Sequence, residues 1–267
     1  MTSNERIARV RAKVERAQRH LGDLETEIRS FLRTGPYQIA SERDPQTGEV
    51  RHCAKSVTEV PLTISAGAGD VLHNLRGALD HLACELVIVG GNYPTRNTGF
   101  PIFASFAIYK AQAPAKVQGM REDAVEAIEA IKPYKGGNDT LWRLHFLSNI
   151  DKRRLPNTVG LVYRFQEVTP SVLEYLRKVW SSRPSWPSPD SPGAARLFDI
   201  DRRHSPLMPG DVVLIEPPNA DVTEQKTFQF DVTFQEDLVY GRPAIETLAE
   251  MLNVVDEVVL SFRPLLA

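Results

Sequence analysis

The densest run of chemically capable side chains lies between Leu72 and Leu86. His73, Asn74, Arg76, Asp80, His81 and Glu85 fill the gaps in a stripe made by Leu72, Leu75, Leu79, Leu82 and Leu86. Steps of three and four put the leucines on one face of a helix and leave the polar residues on the rest of its surface. At about 100° per residue, His73, Gly77, Asp80 and Cys84 stand nearly over one another, with Arg76 to one side and His81 to the other. Two imidazoles, a guanidinium and a carboxylate therefore share a face. An imidazole exchanges protons near neutral pH, so the set holds groups that could do chemistry as well as groups that could simply pair.

The same residues have a purely structural reading. Arg76 and Asp80 are one turn apart and can pair, Gly77 beside them leaves room for another helix, and the histidines can tie the helix to neighbouring loops. Both readings stay open on the sequence. A metal centre is not expected, because His73 and His81 are two turns apart and Cys53 and Cys84 lack the spacing of a zinc site. Both thiols are expected to be free, Cys84 as an ordinary half-buried side chain rather than a nucleophile, and no cofactor motif is present.

A second polar cluster comprises Trp142, Arg143, His145, Asn149, Asp151, Lys152, Arg153 and Arg154. Cations at a helix C-terminus complement its dipole, which accounts for Lys152 to Arg154 without a ligand. Phosphate or RNA binding is the sharper account. If this helix packs beside the Arg76 helix, Asn149 and Lys152 join His81 at one site. The candidate site residues are thus Arg76, Asp80 and His81, with His73, Asn74, Asn149, Lys152 and Arg153 as candidate substrate contacts.

Positioning these groups requires helices. Ile7, Val10, Val14, Ala17, Leu21, Leu24, Ile28 and Phe31 form a heptad seam on one long helix, stopped by Gly35-Pro36. Such a seam packs on another helix of its own chain or of a partner, so a homodimer through helices is one expectation. Tyr37 to Arg43 and Glu49 to Val57, joined by a turn at 44–48, predict a β-hairpin. The spacing predicts helices over 69–89, 121–131, 140–150 and 243–262, and strands over 158–165, 212–216 and 227–234. The proline-bearing stretch 91–118 reads as a long irregular connection, and 181–193, with its many Ser and Pro residues, as a flexible loop. The fold class expected is α+β: a helix-rich part over 1–155 with the hairpin inserted, and a strand-rich part over 156–267 closed by a helix, packed together.

The composition sets outer limits. With 267 residues and 42% hydrophobic content the chain can bury a substantial core. Its longest apolar run, Leu86 to Val89, is far short of a membrane span, and its polar, charged start does not read as a signal segment, so no membrane partner and a cytoplasmic location are expected. The net charge of −2 argues against indiscriminate coating of nucleic acid, yet the charge is uneven. From Asp211 onward, eleven acidic residues face three basic ones, and the positive excess lies elsewhere, concentrated over 6–19 and 143–154.

Arg76-Gly-Ala-Leu-Asp-His81 is an Arg-x4-His motif within a helix of a helix-rich region, and it resembles the motif of the HEPN superfamily of nucleotide-binding and ribonuclease domains. That resemblance implies a metal-independent endoribonuclease acting as a dimer, of the kind found in toxin and phage-defence systems. In it His81 serves as acid/base around the attacking 2′-hydroxyl and Arg76 steadies the phosphoryl charge. Family motifs commonly carry a polar residue straight after the arginine; here that place is Gly77, and Asp80 is the candidate substitute. Nearly the whole chain also resembles a group of uncharacterised bacterial proteins through the run from Gly69 to His81, Phe100-Pro-Ile102, and Leu147-Ser-Asn-Ile-Asp-Lys152. That group implies a histidine after Asp-Lys, where this chain has Arg153. The alternative to the nuclease is a non-catalytic protein that dimerises or binds a partner through its helices.

Overall fold

A computed structural model of the chain describes residues 1–160, 207–216, 218, 228, 230–239 and 241–267. The described elements are α1 (Ser3–Arg33), β1 (Tyr37–Arg43), β2 (Val50–Val57), α2 (Leu62–Val89), α3 (Phe106–Lys116), α4 (Glu122–Ile131), α5 (Asp139–Asp151), β3 (Thr158–Gly160), β4 (Val212–Glu216), β5 (Val232–Phe234) and α6 (Ala244–Ser261), with a 3-10 turn over Arg263–Leu266. The α+β expectation holds. Residues 1–27, 62–157 and 244–267 make a helical unit, and 28–61 with 158–243 make a second, which holds the strands. This grouping departs from a cut at residue 155. The hairpin's second strand pairs with β4, while α6 packs on α2 and α5, so pairing and burial override order along the chain.

In the helical unit α2 is the central element, with Leu72, Leu75, Leu79, Leu82 and Leu86 all essentially inaccessible. It begins at Leu62, seven residues before the expected Gly69. Gly67 and Gly69 lie within it, and each marks a close approach. A Cβ at Gly67 would lie 3.3 Å from Leu24 of α1, and one at Gly69 would collide with the Asp151 carboxylate of α5. Helix α1 runs antiparallel to α2: Arg6 pairs with Glu85 at 2.5 Å, Lys13 lies beside Gly77, and Leu24 beside Gly67. The seam residues Ile7, Val10, Val14, Ala17, Leu24, Ile28 and Phe31 are buried within the chain, so this face is not left open for a second copy. Arg6 and Arg11, from the basic stretch of α1, are bound to Glu85 and Asp256.

The stretch 91–118 is not wholly irregular, which corrects the expectation. Ser105 caps α3 by accepting from the Ile108 N–H, and Tyr109, Ala113 and Val117 form its buried stripe. Pro114 lies near the end of α3 and does not break it earlier. Phe100 and Ile102, before α3, are core residues.

In the second unit β1, β2 and β4 form an antiparallel sheet, and β3 pairs with β5. The strands expected over 158–165 and 227–234 are described only over 158–160 and 232–234; the loop at 181–193 lies outside the described residues. Gly160 of β3 lies against the Tyr37 ring so closely that any side chain there would overlap it. Burial pushes the Tyr37 phenol up to about 12. Cys53 and Cys84 are free, as expected, and no described helix is long and apolar enough to cross a membrane.

Candidate functional site

Arg76 leaves α2 toward the segment preceding α3 and is only 8% exposed. Its Nη2 donates to Asp80 Oδ1 at 2.8 Å and to the Phe100 carbonyl at 2.7 Å, while the Phe100 N–H donates to the same Asp80 oxygen at 3.0 Å. The pair thus grips one peptide residue by both its donor and its acceptor. Gly99 makes this possible, since a Cβ there would lie 3.0 Å from Asp80 Oδ1. The Phe100 ring is buried edge-on against Phe262. Desolvation pulls the Arg76 guanidinium below its ordinary value and Asp80 opposes that pull.

Helix α5 packs antiparallel to α2, as Asp151 over Gly69 at one end and His145 near Arg76 at the other require. Burial, reinforced by Arg76, Lys152 and Lys116, drops the His145 imidazole to about 4, so it is neutral at physiological pH. Its Nε2 lies 3.0 Å from the Asn149 amide nitrogen. With the amide so oriented, Nε2 accepts and Nδ1 carries the proton. His145 Nδ1 and Arg76 Nη1 are both buried and without a hydrogen-bond partner among the described residues. At the other end, burial raises the Asp151 carboxyl, with His73 opposing the rise and Asp70 adding to it.

The expected site residues thus separate. Arg76 and Asp80 are together, and beside them Asn149 hydrogen-bonds to His145, which Lys152 influences only through its charge. His81 is exposed about 140° around α2 from Arg76 and has no side-chain partner among the described residues. His73 is exposed too, near Asp151. Asn74 is 7% exposed and spends its amide on the Asp70 carbonyl, which turns it inward. Lys152 and Arg153 are exposed at the end of α5. The segments 69–81, 100–102 and 147–152, which are far apart in sequence, meet through Arg76, Phe100, Gly69 and Asp151.

Sequence reasoning passed over Lys116, hidden in the supposed connection, and left His145 outside the candidate set. It also missed a polar line in the second unit. Ser41 Oγ lies 2.8 Å from His52 Nδ1, and His52 Nε2 lies 2.7 Å from Glu216 Oε2, with His52 and Glu216 1% and 2% exposed. The line joins β1, β2 and β4 through their side chains, and the Phe228 ring leans on the imidazole. Ser-His-Glu is the residue set of a hydrolytic triad, but here the inaccessible imidazole cross-links three strands. The cross-strand register that puts Ser41 opposite His52 was a signal available in the hairpin sequence; the pairing with Glu216 was not.

Among the described residues no group of three or more His, Cys, Asp or Glu side chains could hold a metal ion. Compared with protein families, curated proteins and solved structures, the chain matches none.

Proposed function

We propose that this chain is a non-catalytic binding protein in which Arg76 and Asp80 serve the fold and the exposed polar faces of the helical unit engage a partner. The observation that carries this reading is the clasp on Phe100. An arginine poised for a phosphoryl group needs its donors free and reachable; Arg76 has Nη2 committed twice and its whole side chain covered. Burying a guanidinium is costly unless it is paired; the Asp80 carboxylate and the Phe100 carbonyl satisfy Nη2, and Nη1, though unpartnered among the described residues, is buried out of reach of a ligand. The test is incubation of mixed-sequence RNA with the full chain, with and without EDTA. RNA is expected to stay intact, and Arg76→Ala to melt well below the parent.

A second reading is a metal-independent endoribonuclease of HEPN type. His81 favours it: an exposed imidazole with no side-chain partner among the described residues is available for proton transfer. In this reading the clasp must open to present Arg76 with His81. EDTA-resistant RNA cleavage, abolished in His81→Ala at unchanged melting temperature, would establish this reading and overturn the first.

A further inference from the structure

We infer that the outward face of α5 is a docking surface for single-stranded nucleic acid, with bases stacked on Trp142 and Phe146 and phosphates met by the cations around them. The inference rests on the non-catalytic reading and names its partner.

The face is defined by spacing. Trp142, Phe146 and Asn149 follow one another by steps of four and three and so line one side of α5, opposite the buried Leu141, Leu144, Leu147 and Ser148. Phe146 is 38% exposed, and its centroid is 6.5 Å from that of the half-buried Trp142. Lys135, from the turn before α5, holds its ammonium 4.9 Å from the Trp142 centroid. Arg143 flanks the stripe, and Arg153 is exposed in the turn two residues past the end of α5.

Asp151 lies on the opposite side of α5, over Gly69 against α2. Asp139, three residues before Trp142, stands at the N-terminal end of the stripe and accepts from the Gly136 N–H at 2.8 Å. The face is thus a pair of rings edged by Lys135, Arg143 and Arg153, with one carboxylate at its far end. A second copy meeting this face with its own α5 face would set like charges against like. An acidic peptide would satisfy the cations and leave the rings unused. A single strand offers both a π-face per base and a phosphate per residue, and rings interleaved with cations are how such strands are held without sequence preference. A duplex keeps its bases stacked and offers the rings nothing.

The experiment is fluorescence anisotropy on the full chain with labelled 20-nucleotide RNA, the same sequence as single-stranded DNA, and the DNA duplex, across a salt series. Both single strands are expected to bind better than the duplex, and affinity to fall with salt. An RNA arm stronger than the DNA arm would assign part of the contact to the 2′-hydroxyl; equal arms would assign it to base and phosphate alone. Phe146→Ala should weaken single-strand binding at least about fivefold, the low end for loss of one stacked base. Arg153→Gln, a change at an exposed helix end, should lower the salt slope with little effect on melting. No binding at tens of micromolar, unchanged affinity in both variants, or equal displacement by polyglutamate would overturn the inference. Cleavage of the RNA would instead overturn the non-catalytic reading, and the DNA arm would still report on the α5 face.

Discussion

The Asp151 carboxylate occupies the place where a side chain on Gly69 would be. This one contact fixes how closely α5 approaches α2, and with it the placement of His145 near Arg76. Gly69→Ala must push a short, half-buried side chain aside, so it should destabilise the chain by about 1–3 kcal/mol. Thermal melting measures it. Gly22→Ala is the matched control, since nothing lies within 4 Å of the added carbon and the change is from a weak to a strong helix former. An equal response of the two variants would refute the role given to Gly69.

Removing Asp80 should cost more than removing His81. Asp80→Ala strands a covered guanidinium and frees the Phe100 N–H; the expected loss is about 3 kcal/mol, at the bottom of the range for a broken buried pair because the Asp80 side chain is 38% exposed. His81→Ala should change stability by under about 0.5 kcal/mol, as surface substitutions do. Urea denaturation of the two variants side by side gives the comparison, and a large loss in His81→Ala would contradict the exposed placement of that ring.

Stability should depend on pH through His145. Its folded value of about 4 lies below the ordinary 6.5, so on acidification the unfolded chain takes up the proton first. Above about pH 6.5 both states are neutral and the fold is undisturbed. Between about 6.5 and 4 the unfolded state binds more protons, and stability falls as pH falls, by on the order of 3 kcal/mol in all. His145→Gln should flatten this part of the profile. A wild-type and variant profile that run parallel across the window would show that His145 is not the group responsible.

The polar line in the strand-bearing unit should behave as a cross-link. Glu216→Ala leaves His52 Nε2 buried without its acceptor and should cost about 3 kcal/mol. Hydrogen exchange localises the effect, with the amides of β1, β2 and β4 losing protection. Unchanged protection there would mean the line does not hold the sheet.

Sequence was a good guide wherever burial follows a local period. The leucine stripe of α2, the seam of α1 and the alternation of the hairpin each predict their own element. It misled where a residue's local meaning is reversed by a distant partner. The expected start of α2, Gly69, is seven residues late, and the partners that make small residues useful at Gly67 and Gly69, Leu24 and Asp151, lie far along the chain. Pro101 and Pro114 hid a short helix whose stripe, Tyr109, Ala113 and Val117, is narrow. At the candidate site the Arg76–Asp80 pair was legible from its spacing, one turn on one helix. The third member, Phe100, was not, because it contributes its backbone, and no side-chain pattern announces a carbonyl or an amide.

The placement of α6 bears on how the chain comes off the ribosome. Helix α2 is finished early, yet one of the helices packed against it is made from residues 244–261, near the end of the sequence. Until that helix emerges, part of α2's apolar surface has no native cover, and the second unit's residues must be synthesised in between. Between the completion of α2 and the emergence of that helix the nascent chain therefore carries uncovered apolar surface, a state in which a chaperone has something to hold and a premature stop before residue 244 leaves a product prone to aggregation.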